Sequence, residues 1–173
     1  MPDQATERQV WKLDPLTLQE VLVDREAALL QARDGTPMER IWALRLLGRL
    51  EEAADEGERL LAESDNRFAP LLLLAHVYQC QYRWDEAARL QGEALTLART
   101  PAREATVHHH TGRRLLEEGR YREAAEEFDW AWDLHRAAGS PEEVARMSYS
   151  AMVLARRRSV EYAFSDSDEL PPA

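Results

Sequence analysis

The sequence predicts an all-α protein built from short helix pairs stacked side by side. Three observations carry that expectation. Proline and glycine fall at the boundaries of helical patterns, no segment alternates with the period of a strand, and one pattern of small, aromatic and Glu-Ala positions returns at intervals of 34 and 37 residues.

Taken in order, residues 1–14 read as an N-terminal extension. A first helix is expected over 15–33, with Asp14 as N-cap and Pro15 at the first helical position. "DGTP" ends it, and Thr36, Pro37 and Glu39 open a second helix with a capping-box signature. Further starts stand at Thr100-Pro101 and Ser140-Pro141-Glu142-Glu143. Stops stand at Gly48, near Gln81–Arg83, at Gly119 and at Gly139. About eight helices joined by short turns result, so sequence neighbours should lie antiparallel. The acidic segment 159–173, ending Pro-Pro-Ala, is expected to be an extended tail.

The returning pattern is fullest at Gly119-x-Tyr121-x-Glu123-Ala124, followed by Phe128 and Ala131-Trp132. Earlier copies read Tyr82-x-Trp84-x-Glu86-Ala87, Gln91, Ala94-Leu95, and Gly48-x-Leu50-x-Glu52-Ala53, Gly57, Leu60-Leu61. Upstream of these, Leu71, Leu74, Ala75 and Tyr78 share one helix face. His108, Thr111, Gly112 and Leu115 hold the same slots one unit later, and Met147, Ser150, Ala151 and Leu154 hold them again. Alanine at 53, 87 and 124 lets two backbones approach, and the larger residue four positions on fills the space between pairs. A pair cannot bury such a stripe alone, so pairs must stack.

This pattern resembles the tetratricopeptide repeat family, whose helix–turn–helix unit has a period of about 34 residues. The resemblance covers about Thr36–Arg158 and is weakest in the first unit, where Pro37, Arg40 and Gly57 depart from it. It implies a short right-handed α-solenoid over 15–158, with units at about 34–67, 68–104 and 105–140 and a capping helix at 141–158. Helix 15–33 would cap the other end, and an extended helix or turn near Ala98–Arg103 would absorb the longer interval.

Composition narrows the function. The formal charge is −10, from 22 basic and 32 acidic side chains, which disfavours nucleic-acid binding. The longest apolar run, Ala69–Ala75, is far short of a membrane span, and the N-terminus has no signal-like apolar region. One cysteine, Cys80, forms neither an internal disulfide nor a multi-cysteine metal site, and a cytoplasmic setting is expected. No phosphate loop, metalloprotease or nucleophile-elbow motif is present, so no catalytic residue, cofactor or metal ligand is expected. His108–His110 point about 100° apart on a helix and cannot converge on one ion. A metal or enzyme reading therefore needs His76 with His109, and stands as the alternative of another class. Trp84, Trp130 and Trp132 read as packing residues, while Trp11 and Trp42 have no obvious slot.

The resemblance implies that first helices line a concave groove. First helices 37–47, 69–80, 101–117 and 141–158 carry a net +4, the second helices −8 and the tail −4. The implied groove positions are Trp42 and Arg45; Leu72, His76 and Gln79; His109, Arg113 and Leu116; and Ser148, Met152 and Arg156. They suit a protein or peptide partner carrying carboxylates, because arginine offers a forked contact and the apolar residues offer pockets. The lysine and asparagine set of the family's carboxylate-clamp variety is missing, which argues against binding of a chaperone C-terminus. The expected function is thus a non-enzymatic interaction module, or alternatively a dedicated chaperone or adaptor of a secretion or regulatory system. Self-association through a terminal helix is a further expectation, as is occupation of the groove by the acidic tail with Tyr162 and Phe164 as anchors.

Overall fold

The structure, a computed structural model, describes residues 9–165, the side chains of 164 and 165 excepted. Two compact units divide between Tyr82 and Arg83. The first contains strands β1 (Trp11–Leu13) and β2 (Glu20–Leu22), then helices α1 (Arg25–Asp34), α2 (Pro37–Leu46), α3 (Leu50–Glu63) and α4 (Phe68–Cys80). The second contains α5 (Trp84–Leu97), α6 (Pro101–Glu117), α7 (Tyr121–Ala137) and α8 (Glu142–Ser165). Within each unit every helix packs on its sequence neighbours, and α2 also touches α4. The fold is all-α with one small hairpin. Among the described residues, no helix is long and apolar enough to cross a membrane.

Helix boundaries follow local chemistry. Thr36 Oγ1 accepts from the Glu39 N–H, and Glu39 Oε2 accepts from the Thr36 N–H at 2.8 Å, a complete capping box. Thr100 caps α6 through the Arg103 N–H. At the ends of α2, α6 and α7, Gly48, Gly119 and Gly139 adopt φ of 76°, 79° and 64°. The next N–H then bonds back to a carbonyl of the last turn: Arg49 to Leu44, Arg120 to Leu115, Ser140 to His135. Tyr82 holds the corresponding place after α4 at φ 59°, a left-handed conformation that a tyrosine adopts only at a cost.

Buried alanines set the spacing of the pairs. Ala53, Ala87 and Ala124, the repeated small positions, are fully inaccessible, as are Ala75, Ala105 and Ala131. Gly57 allows a still closer approach: a Cβ there would stand 2.8 Å from Leu74 Cδ1. Gly112 does the same against the ring of fully buried Phe128, also at 2.8 Å. The helix-weakening Gly57 is thus a packing residue. α4 is buried on almost every side, as its unbroken Leu71–Ala75 run requires.

The N-terminal expectations are corrected. In place of an extension to residue 14 and a helix over 15–33, the chain forms an antiparallel hairpin paired Trp11–Leu22, Lys12–Val21 and Leu13–Glu20. Asp14 does act as a cap, accepting from the Leu16 N–H at 2.8 Å, and the Leu18 N–H reaches the Asp14 carbonyl. One turn forms and then stops, because Leu18 turns to φ 58° and the Asp14 N–H closes on the Gln19 carbonyl. The helix proper starts at Asp24, whose Oδ1 accepts from the Ala27 N–H. The C-terminal boundary also moves: residues 159–165 continue α8, where Glu161 pairs with Arg157 at 2.8 Å and Tyr162 packs edge-on to Tyr121 of α7. Residues 166–173 of the expected tail lie outside the described residues.

Two substitutions test this packing. Tyr82→Gly removes the left-handed strain of about 1–2 kcal/mol against a glycine entropy cost of about 0.5–1 kcal/mol. Because the Tyr82 side chain is 77% exposed, denaturant unfolding should show a net gain of several tenths of a kcal/mol. Gly112→Ala drives a methyl into Phe128, and should cost about 1–3 kcal/mol in the same assay.

Candidate functional site

In the first unit, charged and aromatic side chains of α2, α4 and the hairpin converge on one carboxylate. Glu20 projects from β2 with its side chain 4% exposed. Its Oε2 lies 3.3 Å from Arg45 Nη1 on α2 and 3.6 Å from His76 Nε2 on α4. The Arg45 guanidinium, 5% exposed, stacks 4.4 Å over the indole of Trp42 and also points Nη1 toward Cys80 Sγ at 4.0 Å. Trp42 in turn meets the His76 ring edge-on at 5.8 Å and the indole of Trp11 at 5.6 Å. The two tryptophans without an obvious slot therefore form one wall of this pocket.

Donors outnumber acceptors there. Arg45 Nε and Nη2 and Trp42 Nε1 are buried and make no hydrogen bond among the described residues. A buried guanidinium without a counter-charge costs several kcal/mol. Glu20 supplies that counter-charge and leaves part of the fork uncommitted.

The expected groove residues thus fall into two groups. Trp42, Arg45 and His76 meet around Glu20, and Leu72 and Gln79 are buried on α4. The remainder lie in the second unit and are built into its own packing. His109 Nδ1 is 2.9 Å from Oγ of fully buried Ser148, Arg113 and Met152 are buried, and Leu116 is half-buried. Arg156 pairs at 3.2 Å with Asp129 of α7, a second helix. Met152 is therefore a core side chain and not part of an open face.

Several buried polar groups of the second unit are paired with one another. Gln91 of α5 receives Arg114 Nε at 2.8 Å and donates to the His110 carbonyl; Arg114 also pairs with Glu118. His108 Nδ1 is 2.7 Å from Glu127 Oε2, under the edge of Trp130. His135 Nδ1 meets Ser140 Oγ at 3.1 Å. Burial pushes His109 well below the ordinary histidine range, helped by the nearby positive charge of His110, Arg113 and His135; burial lowers His135 as well. Among the described residues, no group of three or more His, Cys, Asp or Glu side chains is placed to hold a metal ion.

The expected pattern omitted one recurrence. Arg49, Arg83 and Arg120 each occupy the N-cap of a second helix, and each reaches the glutamate three residues on: Glu52, Glu86 and Glu123, with Nε contacts of 2.7, 2.9 and 2.8 Å. These bonds hold all three glutamates below the usual carboxylate range. The signal was present in the sequence, because Arg stands one residue after Gly48, Tyr82 and Gly119 in every copy. Glu20 was missed for a different reason: no local pattern announces that it faces Arg45.

Fold and site together define an all-α protein whose helices pack on their sequence neighbours within each unit and whose N-terminal hairpin places a buried carboxylate beside Arg45 and His76. Compared with protein-family models, with curated proteins and with solved structures, the chain matches none of them.

The lowered histidines fix one pH dependence. A histidine with a depressed folded-state pKa binds its proton more readily when unfolded. Its contribution to stability is complete above the unfolded value of 6.5 and is lost as pH falls from there toward the folded value. Urea midpoints followed by circular dichroism should fall between about pH 7.5 and pH 5.5, and His109→Gln should make that slope shallower.

Proposed function

We propose that the chain is a tetratricopeptide-like protein-interaction module of the cytoplasm, without chemistry of its own, whose pocket on α2 and α4 receives a carboxylate from an extended segment of a partner protein. One observation carries this reading: the pocket already holds a carboxylate presented from a β-strand, Glu20 against Arg45 and His76. The repeat reading draws support from the helix boundaries at matched intervals, the left-handed residue at 48, 82 and 119, and the arginine N-cap that follows each. The partner reading draws support from the chemistry of the donors. A guanidinium stacked on an indole is fixed in plane, and a planar fork selects carboxylates over neutral amides.

The test is capture of a partner from the source lysate with wild type beside the double variant Glu20→Gln/Arg45→Met. Removing both charges leaves neither buried alone, so the variant should keep wild-type helicity. A partner held by wild type and lost by the variant is the expected result. Equal retention would move the interface away from this pocket and overturn the reading. Arg45→Met alone leaves Glu20 without its guanidinium, and should lower stability by about 1–2 kcal/mol in thermal or denaturant unfolding, because the hairpin can undock rather than keep the charge buried.

A further inference from the structure

We propose that residues 11–22 are an internal ligand of the pocket: Glu20 occupies the place of the partner's carboxylate, and the partner's acidic segment enters by displacing the hairpin. The inference rests on the pocket being a carboxylate-recognition site, and adds how access to it is controlled.

Glu20 leaves part of the Arg45 fork unmet. Its Oε2 faces Arg45 Nη1 at 3.3 Å and His76 Nε2 at 3.6 Å, longer than a good charge-assisted hydrogen bond. Arg45 Nε and Nη2 remain buried without hydrogen bonds among the described residues. The strand that carries Glu20 fixes how its carboxylate can approach. A carboxylate free to approach the guanidinium squarely would engage two nitrogens and relieve donors that Glu20 leaves unmet.

The hairpin is also built to leave. Two strands of three residues have little stability of their own. Their loop passes through Leu18 in the left-handed region, and Leu16, Val21 and Val23 are exposed. The hairpin docks through buried Leu18, through Trp11 against Trp42 and through Glu20. Tethering raises its effective concentration, so it excludes weak ligands and yields to one with better geometry.

The probe is a fluorescein-labelled peptide with the sequence of residues 10–23, added to the full chain as wild type, Glu20→Ala and Trp11→Ala. Trp11→Ala loosens the hairpin without orphaning Arg45, which covers the case in which Glu20→Ala fails to fold. If the hairpin shields the pocket about nine-tenths of the time or more, apparent affinity should rise by about tenfold or more in each folded variant. A peptide with glutamine in place of its glutamate should show no such gain. Hydrogen exchange at residues 11–22 should quicken in the variants, and in wild type at saturating peptide. Equal, glutamate-dependent binding to all three chains would leave the pocket reading standing and overturn the displacement. No binding to chains whose hairpin amides exchange freely would overturn both. Hairpin amides as protected in the variants as in wild type would also overturn the displacement, because Glu20 and Trp11 would not be what holds the segment.

Discussion

Close approach of helices at alanine and glycine is the constraint on which the structure depends. Fully buried Ala53 on α3 and Ala124 on α7 let each helix lie close to its neighbours within its own unit. Larger side chains then fill what the small ones leave open. The Phe128 ring lies against Gly112, and Leu74 reaches Gly57, so that each glycine is matched to one bulky partner. A helix lined with small residues has little apolar area of its own to bury. Its stability therefore comes from the neighbours it packs against within its unit.

That packing requires each pair to turn back at a fixed point. The turns achieve it twice over, with a left-handed residue ending the first helix and an arginine opening the second. Arginine is a poor partner for the positive end of a helix dipole. Here it lies across the N-terminus and binds the glutamate three residues on, so the net charge at the first turn stays favourable. Tyr82 shows that the geometry outranks the residue: a tyrosine takes the glycine conformation because the turn demands it.

The chain is acidic overall, yet several of its cations are buried. Arg114 is compensated within the second unit by Gln91 and Glu118. Arg45 has no such neighbour on its own helix pair and draws its counter-charge from the N-terminal hairpin. A cation placed where only a separate segment can neutralise it makes the position of that segment a matter of electrostatics. The contact of Trp11 with Trp42 follows from the same docking.

The sequence by itself determined the helices from α2 through the body of α8, because their caps, stops and apolar stripes are local or nearly so. Among the groove positions that the resemblance implies, Trp42, Arg45 and His76 meet around Glu20. Only the tertiary structure decided what they meet. Residues 15–20 have the start of a helix in Asp14 and Pro15, and the hairpin prevails because Glu20 meets Arg45 and His76 only when the strand docks. That interaction spans 25 and 56 residues of chain, a separation at which no local pattern carries a signal. The same holds for Met152 and Arg156, whose places in the core and against Asp129 depend on how α8 rolls onto α7. Periodicity fixed what each helix is; long-range charge pairing and packing fixed what each face meets.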